Sequence, residues 1–296
     1  MKLVNPSFEI IKQDCLCINK FSAYSLQKVS SLKEGLYKHI EKCGRTCYKS
    51  LDKITEDSCY NFVERMIKSD HTAMLEHGTV YLVIDDRLVL SEEFDNIINS
   101  PYTKTNKFDN KLYITTNFRA INEIFKNDRS WESFITSPSS YHEKRYTVKF
   151  ICNRQVSHEF VRHRVFSFAQ ESTRYCNYNK DKFGSELTFI LPVWCPDLAD
   201  ESYKDIASPE YTLLKNFEQC EKTYIKLINS GWKAQQAATV LPNAIKTELI
   251  MTGFESDWIH FFDLRALGTT GKPHPQAEQL AVPLLEEFNR RGYIKK

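Results

Sequence analysis

Residues 161–175 concentrate the side chains most able to do chemistry: Arg162, His163, Arg164 and Arg174, with Ser167 and Ser172 among them. A guanidinium fork binds a phosphate or a base edge through two parallel hydrogen bonds, and hydroxyls and backbone amides complete such a cradle. Each charge-assisted bond contributes about 1.5–3 kcal/mol, so four or five converging on one phosphate hold it firmly. A helix over 159–164 points Arg162 and Arg164 to different sides, which suits two ligands better than one. Arginine clusters of this kind are often solvated basic faces. Here, though, the cations alternate with Phe160, Val161, Val165, Phe166 and Phe168, and the only nearby acids are Glu159 and Glu171. Cations set at the edge of buried structure without carboxylates call for an anionic ligand.

The elements that must position this segment can be read from periodicity. Leu32, Leu36 and Ile40 predict a helix over 24–43, with Gly44 as its stop. A second helix is expected after Thr55, with Cys59, Phe62, Val63, Met66 and Ile67 as its apolar stripe. Alternation predicts a half-buried strand over 78–84, and 111–116 reads as a strand leading into a helix over 117–125. The stretch 85–110 reads as an irregular, polar surface insertion. Tyr146, Val148, Phe150 and Cys152 alternate as a strand, followed by a helix over 155–164, and 187–191 reads as one more strand. Ser208-Pro209-Glu210 is a strong helix start, combining a hydroxyl cap, a proline at the first helical position and an acid. Leu213, Leu214, Phe217, Cys220, Tyr224, Leu227 and Ile228 supply that helix's apolar face. The last third reads as helices broken at 241–243 and 268–273. Strands in the first two-thirds and helices in the last predict a mixed α+β fold in one domain, 1–296.

Bulk properties narrow the function. The 296 residues carry 40 basic and 38 acidic side chains, so no global field advertises nucleic acid or an anionic membrane. No apolar run approaches the roughly 20 residues needed to cross a bilayer, and the amino terminus lacks the apolar stretch of a signal peptide. Nine scattered cysteines read as reduced thiols of a cytoplasmic protein. Cys15-x-Cys17 and Cys43-x-x-x-Cys47 have no second pair at zinc spacing, and His158 and His163 are five apart, so no metal site is expected. No dinucleotide or phosphate-binding glycine loop is present. Cys195 reads as a core thiol beside a turn.

The spacing Arg162-His163-Arg164, Ser167, Ser172, Arg174 resembles the signature Arg-His-Arg-x-x-Ser-x-x-x-x-Ser-x-Arg of the flavin-dependent thymidylate synthases. Arg45-Thr46-Cys47-Tyr48, Glu76-His77-Gly78, Leu241-Pro242-Asn243, Phe262-Asp263-Leu264-Arg265 and His274-Pro275-Gln276 extend the likeness over about 40–290, with 85–110 least matched. The resemblance implies conversion of dUMP to dTMP, with methylenetetrahydrofolate as one-carbon donor and NADPH as reductant of bound FAD. It also implies a homo-oligomer, expected to be a tetramer, with sites at subunit interfaces. By the same likeness Glu159, Arg162, Gln170, Glu171, Ser172, Thr173, Arg174 and Arg265 would meet dUMP. His77, Thr79, Arg162, His163, Arg164, Gln170, His260 and His274 would meet FAD, and Arg265 would be the catalytic cation beside the uracil. Several positions depart from the family: Ala238 stands where many members place an arginine, and Phe254, Ser256 and His260 stand at carboxy-terminal FAD positions where some members have asparagine and arginine. Two rival readings follow, a nucleotide-binding homologue without turnover and a nucleic-acid-binding protein using the basic patch at 162–174.

Overall fold

The computed structural model describes residues 1–14, 26–87, 91–179, 185–199 and 207–294, with the backbone alone described for 26–29. Strands β1 (Lys2–Val4) and β2 (Ser7–Ile11) precede a 22-residue helix, α1 (Leu26–Cys47). Helix α2 (Ser58–Lys68) and β3 (Thr79–Asp85) follow. Next come α3 (Glu92–Ile98), β4 (Lys104–Phe108), β5 (Lys111–Asn117) and α4 (Phe118–Phe125). The chain continues through β6 (Arg145–Asn153), α5 (Arg154–Phe160), β7 (Ser167–Gln170) and β8 (Thr188–Ile190). Helices α6 (Pro209–Asn229) and α7 (Ala234–Ala237) lead to β9 (Lys246–Phe254), α8 (Glu255–Arg265) and α9 (Pro275–Arg290). The class is mixed α+β, as the element pattern predicts.

The central sheet has the order β2-β6-β9-β7. Its longest pairing is β6 against β9, antiparallel from Arg145↔Phe254 to Asn153↔Lys246. The sequence reading of an all-helical last third is therefore wrong, because β9 is the middle of the sheet. Its residues Thr247–Phe254 are buried on both faces, and a strand covered on both sides shows no polar–apolar alternation to betray it. On one face Val148, Phe150, Leu249 and Met251 pack with Trp258, Phe261, Phe262, Leu280, Leu284 and Phe288 from α8 and α9. On the other, Ile250 and Ala169 meet Cys43 and Cys47 of α1.

Gly44 does not end α1, which continues to Cys47. A methyl group there would lie 2.6 Å from Cζ and 2.9 Å from Cε1 of Phe62, so Gly44 is where α1 and α2 approach each other. Phe62 is buried, with the guanidinium groups of Arg45 and Arg65 over its ring at 5.2 and 5.3 Å. Gly44→Ala gains about 1 kcal/mol of helix propensity but overpacks this contact at a cost of about 1–3 kcal/mol. We expect a net loss of roughly 1 kcal/mol in chemical denaturation; a more stable variant would show that the two helices are loosely packed.

A second sheet, β3-β5-β4, packs with α2, α3 and α4 around Leu82, Phe94, Ile97, Ile114, Ile121 and Trp131. The stretch 85–110 is thus not a polar surface excursion, since it supplies α3, β4 and the core residues Phe94 and Ile97. In α2, Ile67 lies outside the apolar stripe at 37% exposure. A third cluster joins Phe189 of β8 to Phe217 and Tyr224 of α6, with Cys176, Tyr178 and Ile245. The Ser208 hydroxyl caps α6 by accepting from the Tyr211 amide at 3.0 Å, and Pro209 follows in the first turn.

Candidate functional site

Helix α5 organises the site from three of its side chains. Its cap Asn153 accepts from the Val156 amide at 2.8 Å, and the helix ends at Phe160. Arg162, His163 and Arg164 therefore stand in the turn beyond it, and the two-sided helical presentation expected over 159–164 does not occur. Glu159 points to α8, where its carboxylate Oε2 lies 2.9 Å from Arg265 Nη1 and its carbonyl accepts from Nη2 at 3.0 Å. Arg265 Nε donates to His163 Nε2 at 3.0 Å. His163 thus accepts at Nε2 and carries its proton on Nδ1. Burial and the adjacent guanidinium push the His163 pKa down to about 4, so the ring is neutral at physiological pH. Three contacts fix Arg265 in place while further N–H donors stay available to a ligand.

Arg162 is 69% exposed and, among the described residues, keeps only a 3.6 Å pair with Glu159. Arg164 and His260 are exposed as well, and the His260 and His163 rings lie 6.1 Å apart. With Glu159 committed to Arg265, the turn offers uncompensated positive charge to an anion.

The second half of the motif is seated on a buried ionic cluster. Gln170, at the end of β7, donates to Ser157 of α5 at 2.8 Å and to Thr247 at 3.3 Å. The next residue, Glu171, is buried, with Lys246 Nζ at 2.9 Å, Lys49 Nζ at 3.6 Å and the Tyr178 hydroxyl donating at 3.1 Å. Glu248 receives Lys246 at 3.0 Å, Lys149 at 2.8 Å and Lys49. Burial disfavours the Glu248 charge, but Lys246 and Lys49 hold its pKa down at about 2. For Lys246 burial also acts against the charge, and Glu171 and Glu248 overcome it and raise the ammonium pKa. Above this cluster the loop turns tightly. Ser172 N donates to Cys47 O at 3.0 Å, Ser172 Oγ accepts from Arg174 N at 3.3 Å, and Tyr175 packs on Tyr48 at 5.3 Å. Arg174 is exposed, over the Tyr175 ring, and Thr173 is half-buried beside it.

Removing one member of such a cluster strands buried charge of the opposite sign. Glu248→Ala is expected to cost about 3–5 kcal/mol in urea unfolding. A loss under about 1 kcal/mol would mean that the three ammonium groups reach water without it.

A third group lies in the interior. His77 is fully buried, its Nδ1 sharing a 2.8 Å hydrogen bond with Thr252 Oγ1. Thr252 meets Thr147 at 2.8 Å, and Thr147 meets His39 Nε2 at 3.0 Å. Burial holds His77 at about 3 and His39 at about 4. Thr79 is buried and accepts from Arg145 Nη1 at 3.4 Å, and Ser167, a fixed position of the motif, accepts from Arg145 Nη2 at 3.1 Å. Burial lowers Arg145 only to about 10, so it keeps its charge. His274 caps α9 by accepting from Gln276 N at 3.2 Å, and its Nε2 lies 3.2 Å from Gln155 of α5.

The site residues named from sequence thus fall into a turn with Arg265 (Glu159, Arg162, His163, Arg164, His260), a loop (Gln170, Glu171, Ser172, Thr173, Arg174), the interior pair His77 and Thr79, and His274. Through Gln155, Ser157 and Glu159, α5 touches every group but the interior one. Sequence reasoning missed Lys49, Lys149, Lys246 and Glu248. A period-2 reading of 246–254 places Lys246, Glu248, Ile250 and Thr252 on one face and would have exposed the cluster. Cys43, Cys47 and Cys195 are buried thiols, and Cys15 and Cys17 lie outside the described residues.

These features define an α+β protein whose central sheet carries helices on both faces and whose basic loop rests on a buried lysine–glutamate cluster. The family model described as thymidylate synthase complementing protein matches residues 128–291, more than half of the chain, and the chain belongs to that family. The matched span is shorter than the 40–290 suggested by motifs alone, so Arg45-Thr46-Cys47-Tyr48 and Glu76-His77-Gly78 stand outside it. A flavin-dependent thymidylate synthase of Geobacter sulfurreducens is 32% identical over 113 residues, 38% of this chain and 44% of the relative. One of Pyrococcus furiosus is 30% identical over 144 residues, 49% and 54% of the two chains. The chain spans about half the length of the curated relatives it matches. Among solved structures it is similar to the UMP/dUMP methylase PolB from Streptomyces cacaoi bound with 5-Br UMP, at 14% identity and TM-score 0.44, covering 98% of this chain and 92% of that one.

Proposed function

We propose that this protein is a flavin-dependent thymidylate synthase, converting dUMP to dTMP with methylenetetrahydrofolate as one-carbon donor and NADPH as reductant. The observation that carries the reading is Arg265, fixed by Glu159 and a neutral His163 and joined through α5 to the Gln170-to-Arg174 loop. Ser172, Thr173 and Arg174 would bind the nucleotide phosphate, with Glu171 anchoring the loop from below through the lysines. Glu159, Arg162 and Gln170 would border the nucleoside. Arg265 would face the uracil edge, where a fixed cation stabilises the negative charge that develops on the ring during attack from carbon 5.

FAD would be held by Arg162, His163, Arg164, Gln170, His260 and His274. The exposed cations Arg162 and Arg164 fit a diphosphate, and the neutral His163 ring fits a flavin edge. His77 and Thr79 are enclosed, and in this reading they support the flavin pocket from behind. When bound, FAD supplies the hydride that NADPH delivers to it. Exposure of Arg162 and Arg164 on one protomer suits a site completed by another copy, and we propose a homotetramer. Flavin binding tests the reading directly. Purified protein is expected to take up FAD with quenching of its fluorescence, and Arg162→Ala/Arg164→Ala to weaken uptake at least about tenfold. A protein that takes up no FAD would remove the proposal.

A further inference from the structure

A cavity of about 230 Å³ opens where β2 runs out, between the start of β6, β3 and the carboxy-terminal turn; Lys12, Gln13, Tyr81, Lys144, Arg145 and Tyr293 contribute to its wall. Three of these are cationic, and among the described residues no carboxylate lines the space. Arg145 is the centre of charge. Its guanidinium donates to Glu76 O at 3.1 Å, to Thr79 Oγ1 and to Ser167 Oγ, all neutral oxygens, and its Nε–H is buried with no hydrogen-bond partner among the described residues. The two carboxylates that act on it through space are engaged elsewhere, Glu76 with Arg119 at 2.7 Å and Asp257 with the Phe254 amide at 2.9 Å. A guanidinium whose hydrogen bonds all go to neutral oxygens, with the Phe254 ring 5.4 Å away, carries charge that a ligand can neutralise. One side of the cavity is aromatic, with Tyr146 and Tyr293 stacked at 4.3 Å and 13°. The cavity is smaller than pockets for drug-sized ligands, which span about 300–1,000 Å³, so a whole dinucleotide does not fit.

We propose that this cavity is a second, independent anion site, taking a small molecule with one phosphate or carboxylate group set against Arg145, with Lys12 and Lys144 at its mouth. Because Arg145 also holds Thr79 and the motif serine Ser167, an occupant would brace β3 and β7 together. The cavity adjoins the proposed flavin pocket through Thr79 and the motif serine Ser167, but its three cations lie outside the Arg162-to-Arg174 loop, so the inference does not rest on the thymidylate synthase reading.

The test is thermal unfolding of the full chain, titrated with inorganic phosphate in one arm and succinate in the other, against chloride at matched ionic strength. Wild type is expected to show a saturable rise in Tm of several degrees at about 100 times the half-saturating concentration of at least one anion. The arm that responds identifies phosphate or carboxylate as the preferred group. Lys12→Ala/Lys144→Ala, on the rim, should raise the half-saturating concentration about tenfold, while Arg174→Ala should leave it unchanged. Arg145→Lys keeps the charge but loses the fork, and is expected to weaken the response further; if it does not fold, the rim variant still decides. A rise linear in concentration, no rise with either anion, or a response lost in Arg174→Ala and unaltered in the rim variant overturns the proposal.

Discussion

Arg265→Ala is expected to lower turnover of dUMP by about 100- to 1,000-fold while FAD and dUMP still bind. That range is the usual effect of removing a preorganised donor aimed at developing charge. The size follows from how Arg265 is held: Glu159 fixes one edge of its guanidinium through carboxylate and carbonyl, and His163 fixes Nε. A cation placed before the substrate arrives needs no reorganisation as charge develops. The side chain also cannot be replaced by lysine, which lacks the fork that meets Glu159 twice and His163 once. Steady-state kinetics should place the loss in kcat more than in KM, because the interaction strengthens only as the ring becomes anionic. Cys195→Ala, made in parallel, is expected to stay within about twofold of wild type. Cys195 is buried, and burial raises its thiol pKa, so it is a poor thiolate nucleophile. An Arg265→Ala variant within tenfold of wild type would show that the guanidinium has no electrostatic role, and an inactive, folded, flavin-loaded Cys195→Ala would point to covalent catalysis.

Mild acid is expected to destabilise the protein steeply. His39, His77 and His163 are buried and neutral, with pKa values held at about 4, 3 and 4. The dominant cause in each is burial, which disfavours the imidazolium. In the unfolded chain these rings titrate near 6.5. Below that pH the unfolded state therefore binds protons that the folded state refuses. Their stabilising contribution is complete above about 6.5 and is lost as pH falls toward 4. Each neutral ring accounts for about 2 kcal/mol between pH 6.5 and 5, on the order of 6 kcal/mol for the three together. That is a large part of the 5–15 kcal/mol typical of a folded domain. The Glu248 carboxylate does not contribute in this window, because its stabilisation persists until pH falls below the unfolded value near 4.5 and toward 2. Urea unfolding at pH 7 and pH 5 should show the loss, and His39→Gln should reduce it by about a third. A stability unchanged between those pH values would mean that the three rings protonate freely in the folded state.

Much of the architecture was legible where polar and apolar residues recur at the period of the element. Helices α2, α4 and α6 and strands β3, β5 and β6 follow from periodicity, and the Ser208-Pro209 start of α6 follows from capping chemistry. Errors occur where that contrast disappears. β9 is buried on both sides, so 246–254 reads as part of the helical last third when it is a strand with Lys246 and Glu248 on one face. Gly44 reads as a stop because only the tertiary approach of Phe62 explains a glycine inside α1. Phe94, Ile97 and Ile98 are the only apolar residues of 91–100, so the short α3 was hidden in what read as a loop. The site divides in the same way. The motif at 162–174 and Arg265 are contiguous signals, whereas Lys49, Lys149, Lys246 and Glu248 come together only when α1, β6 and β9 are stacked. Arg145 carried no signal in sequence, since its lack of a carboxylate partner is a property of the packed structure.

The most direct measurement of the central claim is product formation by the purified protein, followed by mass spectrometry of the nucleotide pool. With dUMP, methylenetetrahydrofolate, NADPH and FAD present together, the account predicts dTMP, the nucleotide gaining one methylene unit's mass. Omission of FAD or NADPH, or use of Arg265→Ala, should reduce dTMP to background or near it. Protein that binds FAD and dUMP yet leaves dUMP unchanged in the complete mixture would contradict it.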